Sequence, residues 1–423
     1  MTKRYEKYKD SGIAWIGEIP EHWEVIKMRF LCSFKTGDKD TINKEDDGKY
    51  PFYVRSPKIE RINTFTYDGE AVLMAGDGVG AGKVIHYVNG KFDYHQRVYN
   101  FHKIKKVQPY LLYLFLQSFF SYKIEEGGAK NTVDSVRLPM IKDFPIVIPT
   151  SIEQEQIAKY LDWKCGEVDR IVEVRERQLK LLVELRTSVI SRAVTHGLNP
   201  NTPLKNSGID WIGQIPEHWE VRRIKSFCIV KRGASPRPID DEKYFDDNGE
   251  FAWVRIADAS ASEKYLLSTT QKLSSLGASL SVKRFPDDIF LSIAGTVGKA
   301  IITKIKCCIH DGFVWFKNLN YNSELLYYIF ESGQPYLGLG KMGTQLNLNT
   351  DTVGNIPIPY MSNDEQQQIA DYLDKKTAEI DSTINKCKVQ IDKLKEYRQA
   401  LITEVVTGKI DVRGIEIPTP KSN

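Results

Sequence analysis

Cysteine is scarce in this sequence. The six residues Cys32, Cys165, Cys228, Cys307, Cys308 and Cys387 form no CxxC pair and no spacing with histidine that suits zinc. Reduced, mostly buried thiols are expected, with no metal and no cofactor. Long apolar runs are also missing: the longest, Tyr110 to Phe120, falls well short of the roughly 20 residues that a membrane helix needs. The opening MTKRYEKYKD runs straight into polar sequence without the pattern of a secretory signal, so a cytoplasmic protein without membrane contact is expected. No excess of one charge stands out either, since 59 basic residues against 55 acidic leave +4 and a pI near 8.5. That is weak for a chain gripping nucleic acid alone, so any such ligand would be shared with partner chains.

What is present describes a folded protein: 41% hydrophobic and 27% charged residues over 423 positions, enough for about two to four domains. The chain also repeats itself. SGIAWIGEIPEHWEV (11–25) returns as SGIDWIGQIPEHWEV (207–221), 13 of 15 positions identical at an offset of 196. Further landmarks follow in the same order. Val54-Arg55 aligns with Val254-Arg255 at offset 200, and AVLMAGDGVG (71–80) with IFLSIAGTVG (289–298) at 218. His95 aligns with His310 at 215, LLYLFLQS from Leu111 with LLYYIFES from Leu325 at 214, and EQEQIAKYLD from Glu153 with EQQQIADYLD from Glu365 at 212.

Each copy has two textures. Short β-rich runs broken by glycine and asparagine turns, with one helical stretch at Leu111 or Leu325, predict a compact α+β domain. A proline-free helix follows, over about 153–194 and 365–406. In the second, Ile380, Ile384, Cys387, Ile391, Leu394, Tyr397, Leu401 and Val405 step by three and four, and Val168, Val172, Arg175, Leu179, Leu182, Leu185, Val189 and Ala193 stand at offset 212 in the first. So narrow a seam predicts an antiparallel coiled coil between the two helices, related by a pseudo-twofold. Gly166 is the one residue expected to interrupt it. The expected boundaries are a first α+β domain at 1–150, a helix at 151–197, a linker at 198–206, a second α+β domain at 207–361, a helix at 362–410 and a polar tail at 411–423.

The doubled IGxIPEHWEV phrase, the EQxxIAxYLD start of each long helix and the exits AVTHGLNP and VVTGKIDV together resemble the specificity (S) subunit of type I restriction-modification enzymes. The resemblance spans essentially the whole chain. It implies two α/β target recognition domains, each reading one half of an asymmetric bipartite site in double-stranded DNA. It further implies a helix pair that sets the spacing and docks two methyltransferase (M) subunits, with restriction (R) motor subunits joining through the complex. The chain itself would do no chemistry.

Features that might signal an enzyme fail on inspection. AGDGVGAGKV (75–84) lacks the GxxxxGK spacing of a phosphate loop, NIPIPY (355–360) misplaces the prolines of the Asn-Pro-Pro-Tyr signature of methyltransferases that act on amino groups, and FPDDIF (285–290) has no downstream nuclease residues. His95 and His310 have no nucleophile in both copies, so a structural role or a phosphate hydrogen bond is expected. A stand-alone DNA-modifying enzyme and a coiled-coil scaffold without DNA binding are the alternatives.

Differences between copies point to readout. Loop 35–49 against loop 231–249, Gln96-Arg97 against Asp311-Gly312, and residues 130–137 against 344–347 hold side chains suited to base edges. The candidates for DNA contact are Lys35, Lys39, Lys44, Arg55, Gln96, Arg97, Lys130, Asn131 and Arg137 in the first copy. In the second they are Lys231, Arg232, Arg237, Arg255, Lys341, Thr344, Gln345 and Asn347. Arg55 and Arg255, identical in the alignment, are expected at phosphates or in a buried ion pair. Tyr53, Tyr94, Phe245 and Trp253 lie near these loops and suit either base stacking or the core.

Overall fold

The computed structural model describes residues 3–126, 135–336 and 348–418. The chain divides into two compact units, residues 1–176 with 389–423 and residues 177–388, so each long helix gives one end to each unit.

Unit 1 opens on the hairpin Tyr8–Asp10/Glu18–Pro20. An antiparallel sheet follows in the spatial order Ser33–Thr36, Val98–His102, Ala71–Ala75, Ile85–Val88. All five side chains of Ala71–Ala75 are buried, which accounts for its unbroken apolar run at the centre of the domain. A second sheet places Tyr50–Tyr53 between Ile59–Ile62, antiparallel, and Lys91–Tyr94, parallel. Helix Pro109–Glu126 packs Leu112, Leu116 and Phe120 into the main core, beside Phe144, Leu161 and the end of the second long helix at Ile402 and Val405.

Unit 2 repeats this plan. Ile229–Arg232, Phe313–Lys317, Ile289–Ser292 and Ala300–Thr303 form the same order, with Tyr265–Leu266 added at the edge in parallel. Gln271–Leu273, Phe251–Val254 and Cys307–Ile309 repeat the second sheet.

Strand register corrects two of the sequence alignments. With His95 and His310 equivalent, Tyr53 pairs with Tyr94 as Val254 pairs with Ile309, an offset of 201 rather than 200. Tyr99 pairs with Met74 as Val314 pairs with Leu291, an offset of 217 rather than 218. A slip of one residue moves a side chain to the other face of a strand. Arg55 is therefore the counterpart of Ile256, and Arg255 the counterpart of Val54.

The long helices run over Ser151–His196 and Asn363–Val406, the first passing unbroken through Gly166. A single glycine costs about 1 kcal/mol relative to alanine, too little to break a helix that is anchored by packing at both ends. Inside unit 1, Arg398 Nε lies 2.9 Å from Asp169 and Lys395 lies 3.3 Å from Glu176, so the helices run antiparallel there. Inside unit 2, Arg186 Nε lies 2.9 Å from Asp381. At offset 212, Arg186 matches Arg398 and Asp381 matches Asp169: the same pair with the helices exchanged. Ile380, Ile384, Cys387, Ile391, Leu401 and Val405 are buried as the seam requires, but Leu185 and Tyr397 are 49% and 54% exposed. The neighbouring Arg186 and Arg398 keep the three-four stepping with Leu182, Val189, Leu394 and Leu401, so each seam is interrupted by a charge.

Both doubled phrases have structural work. Glu153 is buried and accepts from Trp23 Nε1 at 3.2 Å, His22 Nε2 at 3.0 Å and Thr150 Oγ1 at 2.7 Å. Glu365 repeats this with Trp219 at 3.1 Å, His218 at 2.8 Å and Ser362 at 3.0 Å. Burial opposes the charge of both carboxyls, yet these donors hold them below the usual carboxylate range. The next residue, Gln154 or Gln366, accepts from the Gln108 or Asn322 N–H just before the domain helix. At the far ends, Gly197 (φ +72°) lies against Trp219, where a Cβ would be tight at 3.1 Å, and Gly408 (φ +73°) against Pro20 and Trp23, where a Cβ would collide with Pro20 at 2.4 Å. Each opener thus receives the end of a long helix. The tail after Asp411 begins ordered: Val412 is fully buried, and Gln156 donates to the Val412 and Ile415 carbonyls.

Candidate nucleic-acid interface

The paired histidines are the base on which each candidate site is built. His95 Nδ1 accepts from the Arg97 N–H at 2.9 Å, and His310 Nδ1 accepts from the Gly312 N–H at 2.8 Å. An accepting Nδ1 carries no proton, and burial lowers both pKa values, so both rings are neutral. Each ring closes a tight turn between two strands. Gly37 and Gly233 press from above, where a Cβ would lie 1.9 Å from the Tyr94 carbonyl and 2.1 Å from the His310 carbonyl respectively. Of the two roles expected for these histidines, the turn-closing hydrogen bond fits the structural one.

That packing brings the first variable loop onto the turn. In unit 1 the Gln96 N–H donates to the Lys39 carbonyl at 2.8 Å, and Gln96 Nε2 donates to Asp40 Oδ2 at 2.6 Å. The Thr41 N–H and Gln96 hold the Asp40 carboxyl below its usual range. Asp77 gathers Arg55 at 3.2 Å and Arg97 at 3.6 Å, and bridges on the main chain to Ser135. Lys39 lies 3.8 Å from Asp38, and Lys44 lies 3.7 Å from Glu60, whose carboxyl Lys58 and Lys44 hold low. Lys35 is exposed on Ser33–Thr36, and Arg137 is exposed where the short helix Leu138–Lys142 begins.

In unit 2, Asp311 plays the gathering role. Arg237 Nη2 donates to Oδ2 at 3.0 Å, Ser235 Oγ to Oδ1 at 3.0 Å, and Arg232 Nε to the Asp311 carbonyl at 2.5 Å. Burial works against the Asp311 charge, but Ser235 and Arg237 outweigh it and the carboxyl stays below its usual range. Lys231 is exposed on Ile229–Arg232. Arg255 pairs with Asp258 at 3.5 Å and donates to Thr270.

Arg55 and Arg255 are thus both paired, as expected, but not with each other's equivalents and not in buried pairs, since 46% and 42% of their side chains remain exposed. Lys130, Asn131, Lys341, Thr344, Gln345 and Asn347 lie outside the described residues. Tyr53, Tyr94 and Trp253 are core residues, and Phe245 is half-buried against Trp253 and Leu273. AGDGVGAGKV is a turn closed by the Gly82 N–H on the Ala75 carbonyl at 2.8 Å.

Sequence reasoning missed the acids Asp40, Asp77 and Asp258. Asp311 was visible only as the residue replacing Gln96. Among the described residues no group of three or more His, Cys, Asp or Glu is placed to hold a metal ion, and no helix is long and apolar enough to cross a membrane. The arrangement is one of exposed donors held by carboxylates on a rigid turn. It can bind a polyanion and present planar hydrogen-bonding groups.

Comparison with known proteins places the fold in a family. The family described as type I restriction modification DNA specificity domain matches twice, over residues 20–178 and 216–392. A putative type I restriction enzyme MjaX specificity subunit of Methanocaldococcus jannaschii is 25% identical over 94% of this chain and 96% of its own length. The type I restriction enzyme EcoDI specificity subunit of Escherichia coli is 29% identical over 45% of this chain and 42% of its own. In fold, a chain from a structure concerned with complex assembly and conformational transition of the type I R-M system superposes with a TM-score of 0.71 at 16% identity, covering 93% of this chain and 99% of that one. The HsdS subunit from Thermoanaerobacter tengcongensis superposes at 0.50 with 16% identity, covering 93% and 98%. With the family domain matched in both copies of a duplicated fold, this chain belongs to the type I restriction-modification DNA specificity family.

Proposed function

We propose that the chain is the DNA sequence-specificity subunit of a type I restriction-modification system and carries out no chemistry itself. Each recognition domain reads one half of an asymmetric bipartite site in double-stranded DNA. The paired helices set the spacing between half-sites and dock two methyltransferase subunits, through which restriction subunits join. Methylation of adenine and cleavage belong to those partners, and the complex works in the cytoplasm.

The observation that carries this reading is the double match of the DNA specificity domain on two copies whose frames agree and whose exposed loops differ. Shared frames with divergent surfaces suit a reader of two unlike half-sites, whereas a homodimer of one domain would read a palindrome. Near-neutral net charge fits a subunit whose partners help to neutralise phosphates. The test is to express the chain with its methyltransferase subunit and map methylated adenines. A bipartite motif that disappears when the chain is deleted is the expected result, and methylation unchanged by deletion contradicts it.

A further inference from the structure

In both units the first variable loop crosses the histidine turn, and among their polar contacts is one pair of a planar donor and a carboxylate. In unit 1 the pair is Asp40 on the loop and Gln96 on the turn, joined at 2.6 Å. In unit 2 it is Arg237 on the loop and Asp311 on the turn, joined at 3.0 Å. Gln96 and Asp311 each follow the equivalent histidine, so they occupy the same place. Donor and acceptor have therefore changed sides: the turn supplies the donor in unit 1 and the acceptor in unit 2.

The pairs share a second property. Their bases are fixed, by the histidine Nδ1 hydrogen bond and by Gly37 or Gly233 pressed on the main chain, while their tips are open. Gln96 is exposed, and 71% of the Arg237 side chain is exposed with 39% of Asp311. A planar donor oriented by a carboxylate and anchored on a rigid turn loses little entropy on meeting a base edge. Glutamine matches N6 and N7 of adenine in two hydrogen bonds, and arginine matches O6 and N7 of guanine.

We propose that this crossed pair is the base-reading element of each recognition domain: Gln96, held by Asp40, reads an adenine in one half-site, and Arg237, held by Asp311, reads a guanine in the other. The proposal rests on the specificity-subunit reading above. The carboxylate is a positioning group that keeps the donor planar and aimed.

The experiment uses the full chain in complex with its methyltransferase subunit. The methylated motif is mapped for the unaltered complex and for Arg237→Gln, Arg237→Lys and Gln96→Ala, and binding is measured to duplexes carrying single-base changes in the motif. Both Arg237 variants are expected to lose about 10- to 100-fold of discrimination at one guanine while the other half-site keeps its own. Gln96→Ala is expected to do the same at one adenine of the other half. Lysine keeps the charge but not the two-pronged geometry, so it separates base reading from a phosphate contact. Discrimination retained by Arg237→Lys, or affinity lost equally for motif and unrelated duplexes, overturns the proposal. Motifs unchanged in all three variants overturn it too and leave the specificity-subunit reading standing. An unaltered complex that methylates no bipartite motif contradicts that reading instead.

Discussion

Between the strands Phe251–Val254 and Ile289–Ser292, unit 2 carries an insertion: the offset to unit 1 grows from 201 to 217 across it. From this insertion Lys264 reaches down, 13% exposed, to Glu324 at 2.5 Å and to Asp374 on the second long helix, with the Tyr328 ring 4.5 Å away. In unit 1 the counterpart of Asp374 is Asp162, at offset 212. Tyr110 stands where Glu324 does, and it packs against Tyr87 and Tyr113 at 5.5 and 6.2 Å. The same corner of the domain thus holds a charge cluster that reaches the long helix in one unit and a cluster of tyrosine rings in the other. At the next point of comparison the choice reverses: unit 1 uses the Arg55–Asp77 ion pair where unit 2 lays Ile256 against Gly295. A duplicated fold conserves where it must be held together, while the chemistry that holds it drifts.

The largest effect should be common to both units, because it strikes what they share. Trp23→Ala and Trp219→Ala each remove a fully buried ring and its hydrogen bond to Glu153 or Glu365, at a cost of about 3–5 kcal/mol. Thermal unfolding of the two variants should fall alike. A large difference between them would show that the anchors are not equivalent.

Lys264→Met should sharpen the contrast. It leaves Asp374 without its lysine and Glu324 with only Lys304 at 3.9 Å, at a cost of about 2–3 kcal/mol, below the value for a fully buried pair because Asp374 is partly exposed. Hydrogen exchange should quicken around residues 256–281 and leave unit 1 untouched. Equal quickening in both units would contradict separate bracing.

The anchors also set a pH dependence. The carboxyls of Glu153 and Glu365 are depressed on folding, so their contribution is present above the unfolded carboxylate pKa of about 4.3 and is lost as pH falls through the lower folded value. Acid unfolding curves of Glu153→Gln should be flatter than those of the unaltered chain below that pH. A curve that stays parallel would remove Glu153 from this role.

The smallest effects belong to the exposed pairs. Arg55→Ala and Arg97→Ala should change stability by less than about 1 kcal/mol. If either side chain touches phosphate, the salt slope of DNA binding should fall by about one unit without altered sequence preference.

Much of this was legible in the sequence. The duplication and the two long helices follow from spacing and repeated motifs, although the second helix ends at Val406 rather than 410. Register did not. Val54-Arg55 and Val254-Arg255 match letter for letter, yet loop lengths shift the strands by one residue, and identity of letters carries no information about which face a side chain takes. The seam was misplaced at Leu185 and Tyr397 because an apolar letter was preferred over the adjacent arginine, whose pairing with an aspartate 195 or 229 positions away has no local signature. Asp40, Asp77 and Asp311 were hidden for the same reason: a carboxylate that orients a donor looks like any other acid in a polar loop.

The central claim is that each unit reads its own half-site. Replacing residues 26–150 with the recognition domain of another family member, and mapping the methylated motif of the resulting complex, tests it most directly. The account predicts a motif with one new half and one unchanged half. A motif altered in both halves, or in neither, would contradict it.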